Sequence, residues 1–456
     1  MQRLRIFFLV CAVCFCTCAA LHAQTPARTD TTDRIIYWVH GVNEDKVFWT
    51  MYGNYFNQQR LTQGFVQEYA STVAIPTIAL RVKSNIDQSV RDGDPKFRSL
   101  RKPIFIGHSM GGLVSRTLVR DNPYSNVLPM LQSPYDPLDW GGIISVGTPH
   151  LGGHILASVQ NGYVDKFLSH AVEELQTVIP LLPVGYSLAV GITAAVATQP
   201  MDVLQIPDAL QRIVLYPFTS LIVRQNLLNV NSDCMKDMIP TSPFLQSLNA
   251  NTPNPNIPCL AVFGTSKWQS HLRIGAMYAI KGAHDYPIDQ AKDDGLADAA
   301  KNVSSWFQHG AIGNSISGVE FTVYQTNPFS WLIGQVHFWI ANEYKRAANY
   351  IDYGGQIDWA EILNATEVVE KNYNGAVVQG DIANFQWNTS VRLKHTLVKP
   401  NDGVVSKASQ LFPGSQFPPR EARGANHLIQ GNHRNVREAL ENIFSPSGAF
   451  PIETKQ

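Results

Sequence analysis

The chain has 456 residues, with 36 Lys and Arg against 36 Asp and Glu, and 45% of its residues are hydrophobic. A net charge of zero excludes a function that rests on bulk charge, such as drawing in nucleic acid or selecting an acidic substrate. The apolar content excludes a chain too polar to bury a core, and the length fits one large domain with insertions or two domains.

Arg3 and Arg5 precede an apolar run over residues 6–21, which ends among the small residues Ala19, Ala20 and Ala23. The run is short for a membrane span and has the layout of a signal peptide, so residues 1–23 are expected to be removed and the mature protein secreted or periplasmic. Leu21 fits the small-residue position of the cleavage site poorly; lipidation at Cys18 is the alternative, and it lacks the usual flanks. Cys11, Cys14, Cys16 and Cys18 leave with the signal, and only Cys234 and Cys259 remain. They are read either as one disulfide of an oxidising compartment or, for Cys259, as a small buried hydrophobe within the apolar run 257–263.

Short apolar runs at 34–39, 77–82, 103–106, 142–146 and 257–263 read as strands buried on both faces, separated by stretches of helical pattern. Strands of this kind alternating with helices predict a mostly parallel sheet covered on both sides, with functional loops at the strands' carboxyl ends. No internal repeat or low-complexity tract interrupts the series.

The third run enters Gly107-His108-Ser109-Met110-Gly111, and a helical pattern with Leu113, Val114, Leu118 and Val119 follows. A bare G-x-S-x-G occurs by chance in about one chain in eight of this length. The strand before it and the helix after it supply the context of a nucleophile elbow, in which flanking glycines make room for a sharp turn. Ser109 is therefore the candidate nucleophile. An oxyanion needs prepositioned donors, and the backbone N–H of Met110, next after the nucleophile, is one. Val42 supplies the other from the loop Val39-His40-Gly41-Val42-Asn43 after the first strand, where Gly41 lets the backbone approach closely. His40 reads as a residue that orients this loop in preference to a base, and His108 as packing beside the elbow.

His40-Gly41, Gly107 through Val114, Gly147-Thr148-Pro149-His150-Leu151-Gly152-Gly153 and Ser242-Pro243-Phe244-Leu245 together resemble the bacterial lipase branch of the α/β-hydrolases. They are similar also to the esterase domain of inositol-deacylase-like proteins. The resemblance covers 34–43, 103–153, 237–264 and 398 to the end, about half of the mature chain. It implies an α/β-hydrolase fold and ester hydrolysis as a class, with an acyl ester or lipid as substrate, no cofactor and no metal; it names no substrate. The alternatives are an acyltransferase, phospholipase or deacylase using the same residues and, less favoured, a non-catalytic binding protein.

In this fold the acid and the histidine follow the nucleophile in that order. His150 and His154 follow a middle strand; His170, His271, His284, His309 and His337 fall in inserted stretches; His395 precedes the acid. That leaves His427, before the terminal helix where the family places its base, with His433 read as a cap or packing residue. Asp402, in Asn401-Asp402-Gly403-Val404-Val405, resembles the lipase acid motif. The rival is Asp294, among Asp285, Asp289, Asp293 and Asp298, whose spacing reads as a solvated helix face and not as an EF-hand loop. The expected division is therefore a core of 24–153, 257–264 and 389–456 with insertions at 154–256, whose end (about 237–256) returns to the core, and at 265–388. Within the insertions the apolar run 178–198 and the aromatic Phe329, Trp331, Phe338 and Trp339 read either as a cap over an acyl pocket with transient lipid contact or as plain packing.

Overall fold

From Ile35 to Val39 consecutive side chains point to opposite faces of a strand, and all are buried, because the sheet is covered on both sides. In the computed structural model the described residues are 34–45, 47–60, 62–91, 102–120, 140–176, 231–250, 257–266, 274, 290–323, 328–379 and 386–452. The expected signal segment and the apolar run 178–198 lie outside them.

The first half of the chain alternates β1 (Arg34–Val39), α1 (Val47–Gln59), β2 (Thr62–Gln67), α2 (Ile75–Arg91), β3 (Ile104–His108), α3 (Met110–Arg120) and β4 (Gly142–Val146). After α4 (His154–Gln160), α5 (Tyr163–Gln176), α6 (Asp233–Asp237) and α7 (Pro243–Ala250) comes β5 (Cys259–Thr265). An arm follows, made of α8 (Gln290–Val323), α9 (Pro328–Asn349), a π-helical turn, α10 (Gly355–Ile362) and the strands β6 (Thr366–Gln379) and β7 (Gln386–Val398). The chain then returns through α11 (Lys407–Gln410), β8 (Arg420–Arg423) and α12 (Arg434–Phe444).

Among the described residues six strands form one sheet in the order β2-β1-β3-β4-β5-β8, and every neighbouring pair is parallel. Ile35, Tyr37 and Val39 face a core shared with α2 and α3. Ile36 and Trp38 face the other core, built with Trp49, Tyr52 and Phe56 of α1 and Val436, Leu440 and Ile443 of α12. β3 lies within the sheet, so its carboxyl end opens between flanking loops on both sides.

Residues 77–82, expected as a strand, belong to helix α2. Ile75, Ile78, Ala79, Val82 and Ile86 are its buried apolar residues, a helical period that outweighs the β-branched density of the segment. The second strand is instead Thr62–Gln67, a polar-rich edge strand that pairs with β1 alone. The run before Asp402 also differs from the expected core strand. It is the end of β7, which pairs antiparallel with β6 in a separate two-stranded sheet, so the arm runs past the limit expected at 388 and ends at Val398.

Candidate active site

Ser109 is the single residue between β3 and α3, and its φ of +51° lies in the left-handed region. That conformation costs a non-glycine residue about 1–3 kcal/mol and persists only where the surroundings hold it. Here Ser109 N–H donates to Val146 O at 3.0 Å, and the neighbours leave no room to relax. A Cβ on Gly107 would stand 2.5 Å from the backbone of Gly111 and Gly112, and one on Gly111 would overlap the carbonyl of Val39. The glycines on either side of the serine are therefore required by backbone approach.

Asp402 and His427 both come to Ser109 from the last part of the chain, on separate loops. His427 Nε2 accepts from Ser109 Oγ at 2.9 Å, and its Nδ1–H donates to Asp402 Oδ2 at 2.8 Å. His427 opens a short 3-10 turn after β8, with Asn426 Oδ1 capping Leu428 N–H at 3.1 Å. Asp402 sits in an Asx turn closed by Gly403 N–H to Asn401 Oδ1 at 2.9 Å.

The Asp402 carboxylate is fully buried, and an isolated charge there would cost several kcal/mol. Its four donors offset that cost. Oδ1 accepts from Val404 N–H (3.0 Å) and Val405 N–H (2.7 Å), while Oδ2 takes His427 and Gln430 Nε2 (3.0 Å). Gln410, also buried, joins the turn to β5 by accepting from Gly264 N–H at 2.8 Å and donating to Gly264 O and Val405 O. Neither glutamine was singled out by sequence, because nothing local distinguishes a glutamine that serves a carboxylate or strand in another segment.

On the other side of Ser109, a Cβ on Gly41 would stand 2.9 Å from Ser109 Cβ, so the loop after β1 lies against the nucleophile. His40 Nδ1–H donates to Gly41 O at 2.9 Å, and its ring stacks on Tyr69, whose hydroxyl donates to His40 O. Gly41 C=O and Val42 N–H share one peptide plane, so this bond aims the Val42 N–H away from His40. Met110 is the first residue of α3, where an N–H has no acceptor within the helix. Among the described residues neither N–H has an acceptor.

His433 accepts from Asn435 N–H at 3.1 Å as the N-cap of α12, and Asp294 falls within α8. His150 is fully buried: its Nδ1 accepts from Arg116 at 3.2 Å and its Nε2–H donates to Ser145 Oγ at 2.9 Å. Burial, assisted by the Arg116 charge, holds its pKa well below the ordinary histidine value. Cys234 and Cys259 are free and buried, which answers the open question of a disulfide, and burial pushes the Cys259 thiol up to about 12. Among the described residues no group of three or more metal-ligating side chains is present.

A parallel sheet of this strand order, a strained serine at the end of β3, and an acid and a histidine that follow it in that chain order settle the architecture. The fold is that of the α/β-hydrolases. No protein-family model matches the chain, and no curated protein matches it in sequence. Solved structures similar to it include lipase 1 from Pelosinus fermentans, 12% identical over 91% of this chain and 100% of that one, with a TM-score of 0.38. The mature lipase BlEst2 of Bacillus licheniformis is 14% identical over 57% of this chain and 78% of its own, with a TM-score of 0.30. Phospholipase PlaB from Legionella pneumophila is 12% identical over 52% of this chain and 39% of its own, with a TM-score of 0.29. The assignment of the fold rests on the chain's own strand order and elbow.

Proposed function

We propose that this α/β-hydrolase is a serine carboxylic-ester hydrolase of the lipase or esterase type, working through an acyl-enzyme on Ser109. The observation that supports this most is the continuous hydrogen-bonded chain from Ser109 Oγ through both ring nitrogens of His427 to Asp402. Ser109 Oγ attacks the ester carbonyl carbon while His427 Nε2 takes its proton, and the carbonyl electron pair moves to the oxygen. The N–H groups of Val42 and Met110 receive that oxyanion. Collapse expels the alcohol, which takes the proton from His427 and leaves Ser109 acylated. A water then attacks the acyl carbon with His427 as base, and the acid departs as Ser109 regains its proton. Asp402 keeps the histidine in the required tautomer and stabilises the imidazolium.

The substrate class is an acyl ester. The test is labelling with a fluorophosphonate probe alongside hydrolysis of p-nitrophenyl butyrate. Wild type should label once and hydrolyse the ester; Ser109→Ala, folded by circular dichroism, should do neither. A Ser109→Ala protein that still labels and hydrolyses removes the nucleophile assignment.

A further inference from the structure

The elbow is flanked by a second histidine–carboxylate pair that the proposed reaction leaves unused. Glu44, in the loop after β1, places one carboxylate oxygen, Oε2, between two donors: Gly41 N–H at 2.5 Å and His108 Nδ1–H at 2.9 Å. His108 is the residue immediately before the nucleophile and is fully buried; the Glu44 side chain is 6% exposed. The His108 ring stacks on Phe48 with centroids 4.3 Å apart and lies 4.8 Å from the ring of His427. Burial lowers its pKa against the opposing pull of Glu44, so the ring is neutral, with its proton on Nδ1.

A ring needed only for packing would not retain a polar atom at a cost. Among the described residues His108 Nε2 is buried without a hydrogen-bond partner, which an apolar side chain of the same shape would avoid. What His108 gains in exchange is the bond to Glu44, and that bond is long-range: Glu44 belongs to the loop after β1 and His108 to the end of β3. The two segments meet on either side of Ser109. Gly41 N–H, the other partner of Glu44, belongs to the peptide just before the Gly41–Val42 plane that His40 holds from its other end.

We propose that Glu44 is a positioning residue for the oxyanion site, bracing the loop that carries the Val42 N–H against the elbow that carries the Met110 N–H. It rests on the serine-hydrolase reading above. The two donors sit on separate segments, so their separation is set by whatever ties one to the other. Glu44 supplies that tie through Gly41 and His108. Loss of the brace lets the loop drift, and a displacement of about 1 Å in a catalytic group is enough to cost about a hundredfold in rate. Because the oxyanion exists only in the transition state and intermediates, the loss falls on kcat and spares KM.

The experiment uses the full chain and p-nitrophenyl butyrate, with kcat expressed per site titrated by the fluorophosphonate, so that misfolded protein does not count. Glu44→Ala is expected to lower kcat at least tenfold with KM within twofold of wild type. Glu44→Gln is expected to restore kcat to within about threefold, because its amide oxygen can take the place of Oε2 and accept from both Gly41 N–H and His108 Nδ1–H. Glu44→Asp keeps the charge but is one methylene shorter, and should be slower than Glu44→Gln. A folded Glu44→Ala enzyme with wild-type kcat, or with a raised KM alone, overturns the proposal. So does an Asp variant faster than the Gln variant, a comparison that still decides if Glu44→Ala does not fold. Ser109→Ala runs alongside: if it is inactive while Glu44→Ala matches wild type, only the brace fails; if Ser109→Ala hydrolyses the ester, the underlying reading fails first.

Discussion

The carboxyl edge of the sheet and the helical arm use their residues in opposite ways. At the edge, polar groups are buried and bonded: Asp402, Gln410, Asn426, Gln430 and His150 are almost wholly out of water. On the arm, apolar groups are left in water, with Ile312, Ile316 and Val319 on α8 and Leu332, Val336 and Trp339 on α9 each about half exposed. These fall on the outward sides of two helices whose inward residues, among them Phe307, Ile340 and Tyr344, pack together. Burying polar groups costs desolvation and is tolerated where many bonds converge on a fixed geometry, whereas the arm meets no comparable constraint on its outer side.

If that contrast is right, the largest effect of a mild substitution belongs to the edge. Asp402→Asn should cut kcat about a thousandfold or more with KM nearly unchanged, because an amide favours the wrong histidine tautomer. Steady-state kinetics with circular dichroism as a folding control decides it, and a folded, active Asp402→Asn enzyme would remove Asp402 from the reaction.

Acid sensitivity should also be an edge property. His150 has its pKa depressed by burial, so below about pH 6.5 the unfolded chain takes up a proton that the native state refuses. Its contribution is complete above that pH and is lost on acidification, by about 1.4 kcal/mol per pH unit, until the native value is reached. Urea midpoints between pH 7.5 and 5 should therefore fall more steeply for wild type than for His150→Gln, whose amide can still accept from Arg116 and donate to Ser145. Parallel slopes would mean that His150 titrates like an unburied histidine.

A smaller effect is expected where the two regions meet. Trp359 of α10 donates its indole N–H to Gly403 O at 2.8 Å, beside Asp402 in the acid turn. Trp359→Phe keeps an aromatic ring and removes the donor, which should cost about 1 kcal/mol of stability and a few-fold in kcat. An unchanged melting temperature would show that the arm does not support the turn. The smallest effect belongs to the arm itself: Asp294→Asn should change kcat by no more than a few-fold in the same ester assay, and a large loss there would reverse the contrast.

How much of this was legible from the residues depended on the range of the interactions. Four strands and the elbow could be read because apolar runs and glycine spacing are local properties, and Ser109, Asp402 and His427 followed from motif and chain order. The edge strands could not. Thr62–Gln67 is half polar and Arg-Glu-Ala-Arg of β8 has one apolar residue, because a strand at a sheet edge needs little hydrophobic patterning. In residues 77–82 the β-branched density imitates a strand and masks the helical period of Ile75, Ile78, Ala79, Val82 and Ile86. Glu44, Gln410 and Gln430 were silent for a different reason: each acts on a segment distant in sequence, as when Glu44 meets His108 across 64 residues.

That separation in sequence bears on how the protein comes into being. Ser109 and His427 stand 318 residues apart, and His427 is carried on the turn that follows β8, the strand that pairs with β5 alone at one edge of the sheet. A chain emerging from the ribosome displays its elbow early, yet it holds no complete reaction centre until its last strand has docked. Contacts of such long range form late and slowly. The Ser109–His427–Asp402 hydrogen-bonded chain is thus assembled only with completed folding, and partly made chains carry the serine without the histidine beside it.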